Sequence, residues 1–581
     1  MRLLSTISKK RIISLSLCIT FLAGSLASCG NSKEVSFEDF TKDLFVEEIT
    51  ANTINLHYTI ENPSEYGIAD YDVTLGDFSK ETRDASKNEL QETLDDLKEY
   101  ENFILTEEEQ LTFDLLEDYL NNQISLCDYD LYYEPLAFSG GLQMELPILY
   151  AEYEFNNEQD VQDYLELIAL TDEYFVQVMD FEKEKSQAGL FMSDELCEKV
   201  IDSCEAFLKD KETHYLITTF ENRLNNINLS EQKNASYIRQ NKAILEKQLF
   251  PAYEDMIVDL ESLLGTGTND GGVCNFDNGK EYYERLVYSE TGCNDSIDEL
   301  SKRIENQCMK DLLVCSNLYQ KDSGIINKSM YLEWEFENPN AALVSLQDKI
   351  LEDFPTPPDT TYAINYVDPA LKDFLSPAFY IVAPVDNYEE NVIYINEGYV
   401  SSDIYAFTTL AHEGYPGHLY QTVMTYNYDY PDIRSILNYS GYVEGWATYV
   451  EMMAYHYADI DEDVANFLSH NQAATLSLYA SSDIGLHYYG WTEEDMYSFW
   501  SGYGITDKNA IKEITQLILS EPGNYLKYYV GYIEFLELKD YAKQQFGDAY
   551  SDLEFHRAIL DIGPAPFHII EAYLDDFYSA E

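Results

Sequence analysis

Asp403-Ile-Tyr-Ala-Phe-Thr-Thr-Leu-Ala411-His412-Glu413-Gly414-Tyr415-Pro416-Gly417-His418-Leu419 is the stretch on which the reading of this 581-residue chain turns. Asp403 can cap a helix, because a short carboxylate accepts from the first free amides. Ile404, Phe407 and Ala411 then recur at helical spacing, which places His412 in the last turn. In the zincin pattern H-E-x-x-H the two histidines stand four apart and share one helix face. Here they stand six apart, and an unbroken helix would leave them about 120° out of register. Pro416 disfavours helix at Tyr415 and suits the opening of a new helix. A break at Tyr415-Pro416-Gly417 is therefore expected to swing His418 back toward His412.

Twenty-six residues past His418 comes Gly441-Tyr-Val-Glu444-Gly-Trp446-Ala-Thr-Tyr-Val-Glu451, in a helical segment. A hydrolytic zinc site takes three protein ligands and keeps one position open. His412, His418 and Glu444 meet that requirement, which predicts one Zn²⁺ per chain. Glu413, beside the first ligand, is the expected general base toward a metal-activated water, passing the proton on to a leaving amine. The plain alternative is a pair of core histidines and a solvated glutamate. Only nine histidines occur in the chain, and two of them flank the Pro-Gly break.

Outward from this segment the chain reads as helical. Residues 85–125, 157–210, 228–264, 296–319 and 340–352 carry apolar side chains at three-to-four spacing among charges. The pattern resumes at Asp403 and runs to the C-terminus. Gly265-Thr-Gly-Thr-Asn-Asp-Gly-Gly272 is the strongest internal break. Residues 355–400 are rich in proline and β-formers, and Val392-Ile-Tyr-Ile395 reads as a strand. The expected fold is mainly α, with a small β element next to the active-site helices. No linker of convincing length divides residues 41–581, whose N-terminal helical half runs to about residue 354 and whose metal-site half is 355–581.

The N-terminus is processing signal. Arg2, Lys9, Lys10 and Arg11 precede an apolar run, Ile12 to Leu26, that is short for a membrane span. Leu26-Ala27-Ser28-Cys29 resembles a lipobox, where the chain is cut before a cysteine that carries a diacylglycerol. Residues 1–28 are thus expected to be a lipoprotein signal peptide, and 29–40 a lipidated tether. The protein is expected on the extracytoplasmic face of the cell membrane, held by acyl chains at Cys29. Losing residues 1–28 removes four of the 36 Lys+Arg and none of the 106 Asp+Glu, so the net charge of −70 becomes four units more negative. Such a surface repels phosphates, which argues against nucleic acid as a partner. Seven cysteines remain beyond Cys29. Cys197 and Cys204, like Cys308 and Cys315, sit too far apart along a helix to bridge, whereas Cys274 and Cys293 flank a loop and could pair.

His412-Glu-Gly-Tyr-Pro-Gly-His418 resembles the H-E-x-x-P-G-H signature of the bacterial family known as domain of unknown function 885, and Glu444-Gly-Trp-Ala447 resembles its E-G-W-A segment. The likeness continues through Ser376-Pro-Ala-Phe-Tyr380, Asn391-Val-Ile-Tyr-Ile-Asn396, Asp483-Ile-Gly-Leu-His487, Glu521-Pro-Gly523 and Phe555-His556, nearly the whole mature chain. Two positions depart from the family's habit: Asn524 where glutamine is common, and Tyr479 where an arginine often stands. The resemblance implies a zincin-like metallopeptidase acting on short peptides outside the cell. Similarity to gluzincin peptidases implies further roles. A substrate peptide would add along the Val392–Ile395 strand, beside Tyr394. Tyr528 or His556 would stabilise the oxyanion, with His487 behind them. Asp483 would orient a ligand histidine. Two other functions stand beside this one: a metal-dependent amidase that is not a peptidase, and a non-catalytic binding lipoprotein with a structural metal. A closed structural zinc usually takes a fourth Cys or His, and no cysteine lies between residues 316 and 581.

Overall fold

Helices begin where the chain offers a side-chain acceptor to the free amides of a first turn. Thr106, Asn157, Ser296 and Thr492 each close a reciprocal capping box, opening the helices Glu107–Leu126, Glu158–Ala188, Ile297–Lys321 and Glu493–Gly502. The computed structural model describes residues 35–367, 372, 375–397, 402–428 and 430–580. Cys29 and the expected signal segment lie outside the described residues. The helical windows expected from spacing are occupied by helices, several of them split in two. Residues 85–125, for example, hold parts of Lys80–Lys98 and Glu107–Leu126. The Gly265–Gly272 break separates the helices Phe250–Leu263 and Gly279–Thr291. The molecule is mainly α with one small sheet, and none of its described helices is long and apolar enough to cross a membrane.

The sheet has three strands, β1 (Thr361–Tyr366), β2 (Ala378–Ile381) and β3 (Glu390–Ile395), in the order β1-β3-β2. β1 runs parallel to β3, with Thr361 opposite Glu390; β2 runs antiparallel, with Ala378 opposite Ile395. The strand read at Val392–Ile395 is thus real but central. Both of its edges are hydrogen-bonded, so a substrate cannot add to it, and that expectation is corrected. β2 is the edge strand nearest the motif helices.

Buried apolar side chains gather in two large clusters. One joins residues of the first helices, such as Phe45 and Leu116, to Leu410, Trp446 and Phe535. The other joins Tyr164, Phe220 and Tyr253 to the sheet residues Phe379 and Tyr394. Within the first, the helices Ser440–Tyr457 and Asn524–Phe546 cross backbone to backbone. A Cβ on Gly445 would lie 2.5 Å from Gly531 Cα, and one on Gly531 would lie 2.1 Å from Gly441 O. All seven described cysteines are free thiols. Cys274 and Cys293 do not pair, because Cys274 faces the Leu486 carbonyl while Cys293 sits beside Arg303.

Candidate metal centre

The helix that carries His412, Ile404–Glu413, is capped as its sequence predicts: Asp403 accepts from the amides of Tyr405 and Ala406, both at 3.1 Å. It stops at Glu413, and a second helix, His418–Tyr426, opens at once. The turn between them closes tightly. The Gly417 amide donates to the Ala411 carbonyl at 2.9 Å, and a Cβ on Gly417 would sit 1.8 Å from His412 O. Only glycine lets the second helix close over the last turn of the first. Trp446, from the Ser440–Tyr457 helix, donates its indole N–H to the Pro416 carbonyl at 2.8 Å and ties that turn to the helix bearing Glu444.

His412, His418 and Glu444 therefore meet, each offering one ligand atom, all within 4.8 Å of one another. Glu444 Oε2 lies 3.6 Å from His412 Nε2 and 3.5 Å from His418 Nε2. These separations are long for hydrogen bonds. They match the edge, about 3.4 Å, of a tetrahedron whose metal–ligand bonds are about 2.1 Å. Glu444 Oε2 is buried and has no hydrogen-bond partner among the described residues. On this geometry the three residues fit a divalent cation.

Glu451 completes the arrangement. It lies seven residues, two helical turns, beyond Glu444 and so on the same face, and its Oε2 is 3.3 Å from His412 Nδ1. A carboxylate behind a ligand imidazole fixes ring orientation and raises basicity. Sequence reasoning expected Asp483 in that place. Glu451 was missed, although its i, i+7 spacing from Glu444 is a signal in the sequence that could have found it.

Burial disfavours a charged His412, yet Glu444, Glu451 and Glu413 outweigh it and push its pKa up to about 10. Glu444 loses solvation as well, but His418 and His412 hold it well below the usual carboxylate range. Glu413 is raised by desolvation, with His412 and His418 pulling the other way, and its Oε2 accepts from the Tyr380 amide at 3.0 Å. Three carboxylates thus face two imidazoles, a surplus that favours a cation. The cluster opens into a cavity lined also by Tyr380, Gln421, Tyr426, Arg434 and Tyr439.

The other expected site residues are not in this cavity lining. His556 is fully buried and stacks on Phe354 at 4.0 Å; its Nδ1 bonds to the Asp353 carbonyl at 2.7 Å and its Nε2 to Tyr449 Oη at 2.9 Å. With both nitrogens engaged, it has none to offer an oxyanion. His487 bonds the Ile518 carbonyl at 2.9 Å through Nε2 and accepts the Val273 amide through Nδ1, so it too is a core histidine. Asp483 accepts from Tyr283 Oη at 2.5 Å and from the Gly523 amide at 3.1 Å, and orients neither ligand histidine. Tyr528 is buried, with the Lys527 ammonium 5.7 Å from its ring centre. Tyr394 stacks on Phe379 at 4.9 Å in the second core cluster. Tyr479, the departure from the family's arginine, packs against Trp500 and Tyr525.

The sequence matches the family described as "Bacterial protein of unknown function (DUF885)" over residues 61–311 and 315–574. The chain belongs to this family. Among solved structures, a candidate lipoprotein from Colwellia psychrerythraea is similar at a TM-score of 0.83 and 17% identity, covering 94% of this chain and all of that one. A candidate lipoprotein of unknown function from Shewanella oneidensis is similar at a TM-score of 0.62 and 15% identity, covering 92% of this chain and 99% of that one. At such identities the likeness shows that this DUF885 chain shares their fold. No protein with a curated description matches it.

Proposed function

We propose that this DUF885 protein is an extracytoplasmic zinc-dependent hydrolase of peptide bonds, with a zincin-like site and short peptides as substrates. The observation that carries the reading is the set of distances around Glu444 Oε2, 3.5 and 3.6 Å to two imidazole nitrogens. A zinc ion held by His412, His418 and Glu444 would supply the Lewis acidity that brings a water's pKa toward neutrality. Glu413, next in sequence to His412 and in the same cavity, would serve as the general base, taking a proton from the attacking water and passing it to the leaving amine. Glu451 keeps the His412 ring in its ligand orientation. β2 offers the edge for an extended substrate, since the Tyr380 amide already points out of the sheet to Glu413. The lipobox at Cys29, together with the description of both structural neighbours as candidate lipoproteins, supports a lipid-anchored position outside the cell.

Metal content tests the reading, measured by mass spectrometry on the soluble form lacking residues 1–29. The expected result is about one zinc per chain, lost in His418→Ala and kept in Glu413→Gln, with peptide cleavage abolished in the first and strongly lowered in the second. A chain that takes up no divalent metal on addition of zinc would falsify it.

A further inference from the structure

We infer that Arg434 receives the free C-terminal carboxylate of the substrate, one or two residues beyond the bond that is cut; this rests on the peptide-hydrolase reading above and names the substrate terminus.

Arg434 sits in the short turn Asp432–Ile436, is 7% exposed, and lines the same cavity as the three ligand residues. Its Nη2 donates to the Ile562 carbonyl, and its guanidinium lies 4.0 Å from the Tyr430 ring centre. Its Nη1 is buried with no hydrogen-bond partner among the described residues. The groups that act on it electrostatically are the tyrosines 430, 439 and 442, and no described carboxylate forms an ion pair with it. Three other enclosed cations each hold a carboxylate: Arg83 pairs with Glu184 at 2.6 Å, Lys185 with Glu134 at 2.7 Å and Arg303 with Glu534 at 2.8 Å; Arg223, half-buried and outside this cavity, rests like Arg434 on a backbone carbonyl and aromatic rings. In a protein with 106 acidic and 36 basic side chains, an arginine 7% exposed with no carboxylate partner among the described residues stands out. A desolvated cation is costly unless an anion joins it. A planar guanidinium matches a carboxylate in a way an ammonium does not.

A polar track leads from the ligands to this arginine. Gln421 and Thr425 follow His418 at three and seven positions along one helix face. Gln421 Nε2 and Thr425 Oγ1 are also buried without hydrogen-bond partners among the described residues. At the far end, a Cβ on Gly563 would lie 3.6 Å from Thr425 Cγ2 and 3.2 Å from Arg434 Nη2, so those two side chains face each other across a glycine. The helical rise from His418 to Thr425 is about 10 Å. One or two extended residues, about 3.3 Å each, and a carboxylate-to-guanidinium contact fit that length.

Zinc-loaded Glu413→Gln protein is titrated calorimetrically with a pentapeptide bearing a free C-terminus, with its C-terminal amide, and with the amide carrying glutamate as its last residue; the unmutated protein is assayed for cleavage of all three. The free acid is expected to bind about ten-fold or more tighter than either amide. Adding Arg434→Gln should bring the acid down to the level of the amides, and Arg434→Lys should restore part of the difference. Equal binding of acid and plain amide overturns the inference, and so does a glutamate amide that matches the acid, since a side-chain carboxylate would then suffice. A preference for the acid without cleavage of any peptide would sink the hydrolase reading and leave the carboxylate receptor standing; cleavage without preference would do the reverse.

Discussion

His412 and His556 are two deeply enclosed imidazoles served by one helix, Ser440–Tyr457, and they have opposite characters. His556 meets a backbone carbonyl, a tyrosine hydroxyl and the flat face of Phe354, and desolvation with the nearby Lys539 ammonium pushes its pKa down to about 3. His412 meets Glu444 and Glu451 at 3.6 and 3.3 Å, and the same loss of solvent is overridden until its pKa stands at about 10. Tyr449 serves the first, and Glu444 and Glu451 serve the second. Burial alone therefore does not tell a structural histidine from a ligand. The chemistry of the facing groups does: neutral partners at hydrogen-bond distance on one side, carboxylates at ligand spacing on the other.

The contrast can be broken most severely at the ligands. Glu444→Ala should abolish zinc uptake altogether, read by metal content after dialysis, while His556→Ala should leave uptake intact. Glu413→Gln should keep the metal and lower peptide turnover by about 10²- to 10⁴-fold, read by single-substrate kinetics. His556→Ala removes a stacked ring and two hydrogen bonds, and should cost about 3 kcal/mol in denaturant unfolding. Glu451→Gln should weaken zinc binding about 10- to 100-fold without emptying the site at saturating zinc, read by competition with a chelator.

The smallest effect is one of pH. A histidine whose folded pKa is depressed supports the fold fully above its unfolded value, near 6.5, and the support is lost as pH falls toward the folded value. His556 should thus cost the protein roughly 1 kcal/mol for each pH unit between 6.5 and 4. Asp483, raised by desolvation to about 7, pulls the other way across that whole range. The slope should flatten in His556→Gln relative to the unmutated chain, and an unchanged slope would show that His556 is not held neutral.

What could be read from the sequence follows from what is local. The helix cap at Asp403 and the break around Tyr415-Pro416-Gly417 depend on neighbouring residues and stand where the sequence placed them, although the second helix opens at His418, two residues past the proline. The approach of His412 and His418 was legible in part from the Pro-Gly break between them, while Glu444 was marked by the need for a third ligand and by the likeness of its segment to the family's. The β3 strand was legible as a strand but not as the middle one, since β1 pairs with it from 29 positions away and β2 from 11 to 17. Pairing partners are non-local, and no periodicity reports them. Tyr528, His556, His487 and Asp483 were picked by residue type and likeness, and type cannot show which cavity a side chain meets. Arg434 gave no signal, because the absence of a counter-charge is visible only when the surrounding shell is in place.

The crossing at Gly445 and Gly531 bears on how freely this sequence can vary. Where helices meet through side chains, a substitution can be absorbed by a neighbour changing rotamer. Here Gly445, next to Glu444, presses on the Gly531 backbone, and Gly531 in turn on the Gly441 carbonyl. Such a contact has no adjustable part. The position of Glu444 is therefore set by a feature that tolerates no methyl group, while the packing further from it is free to drift.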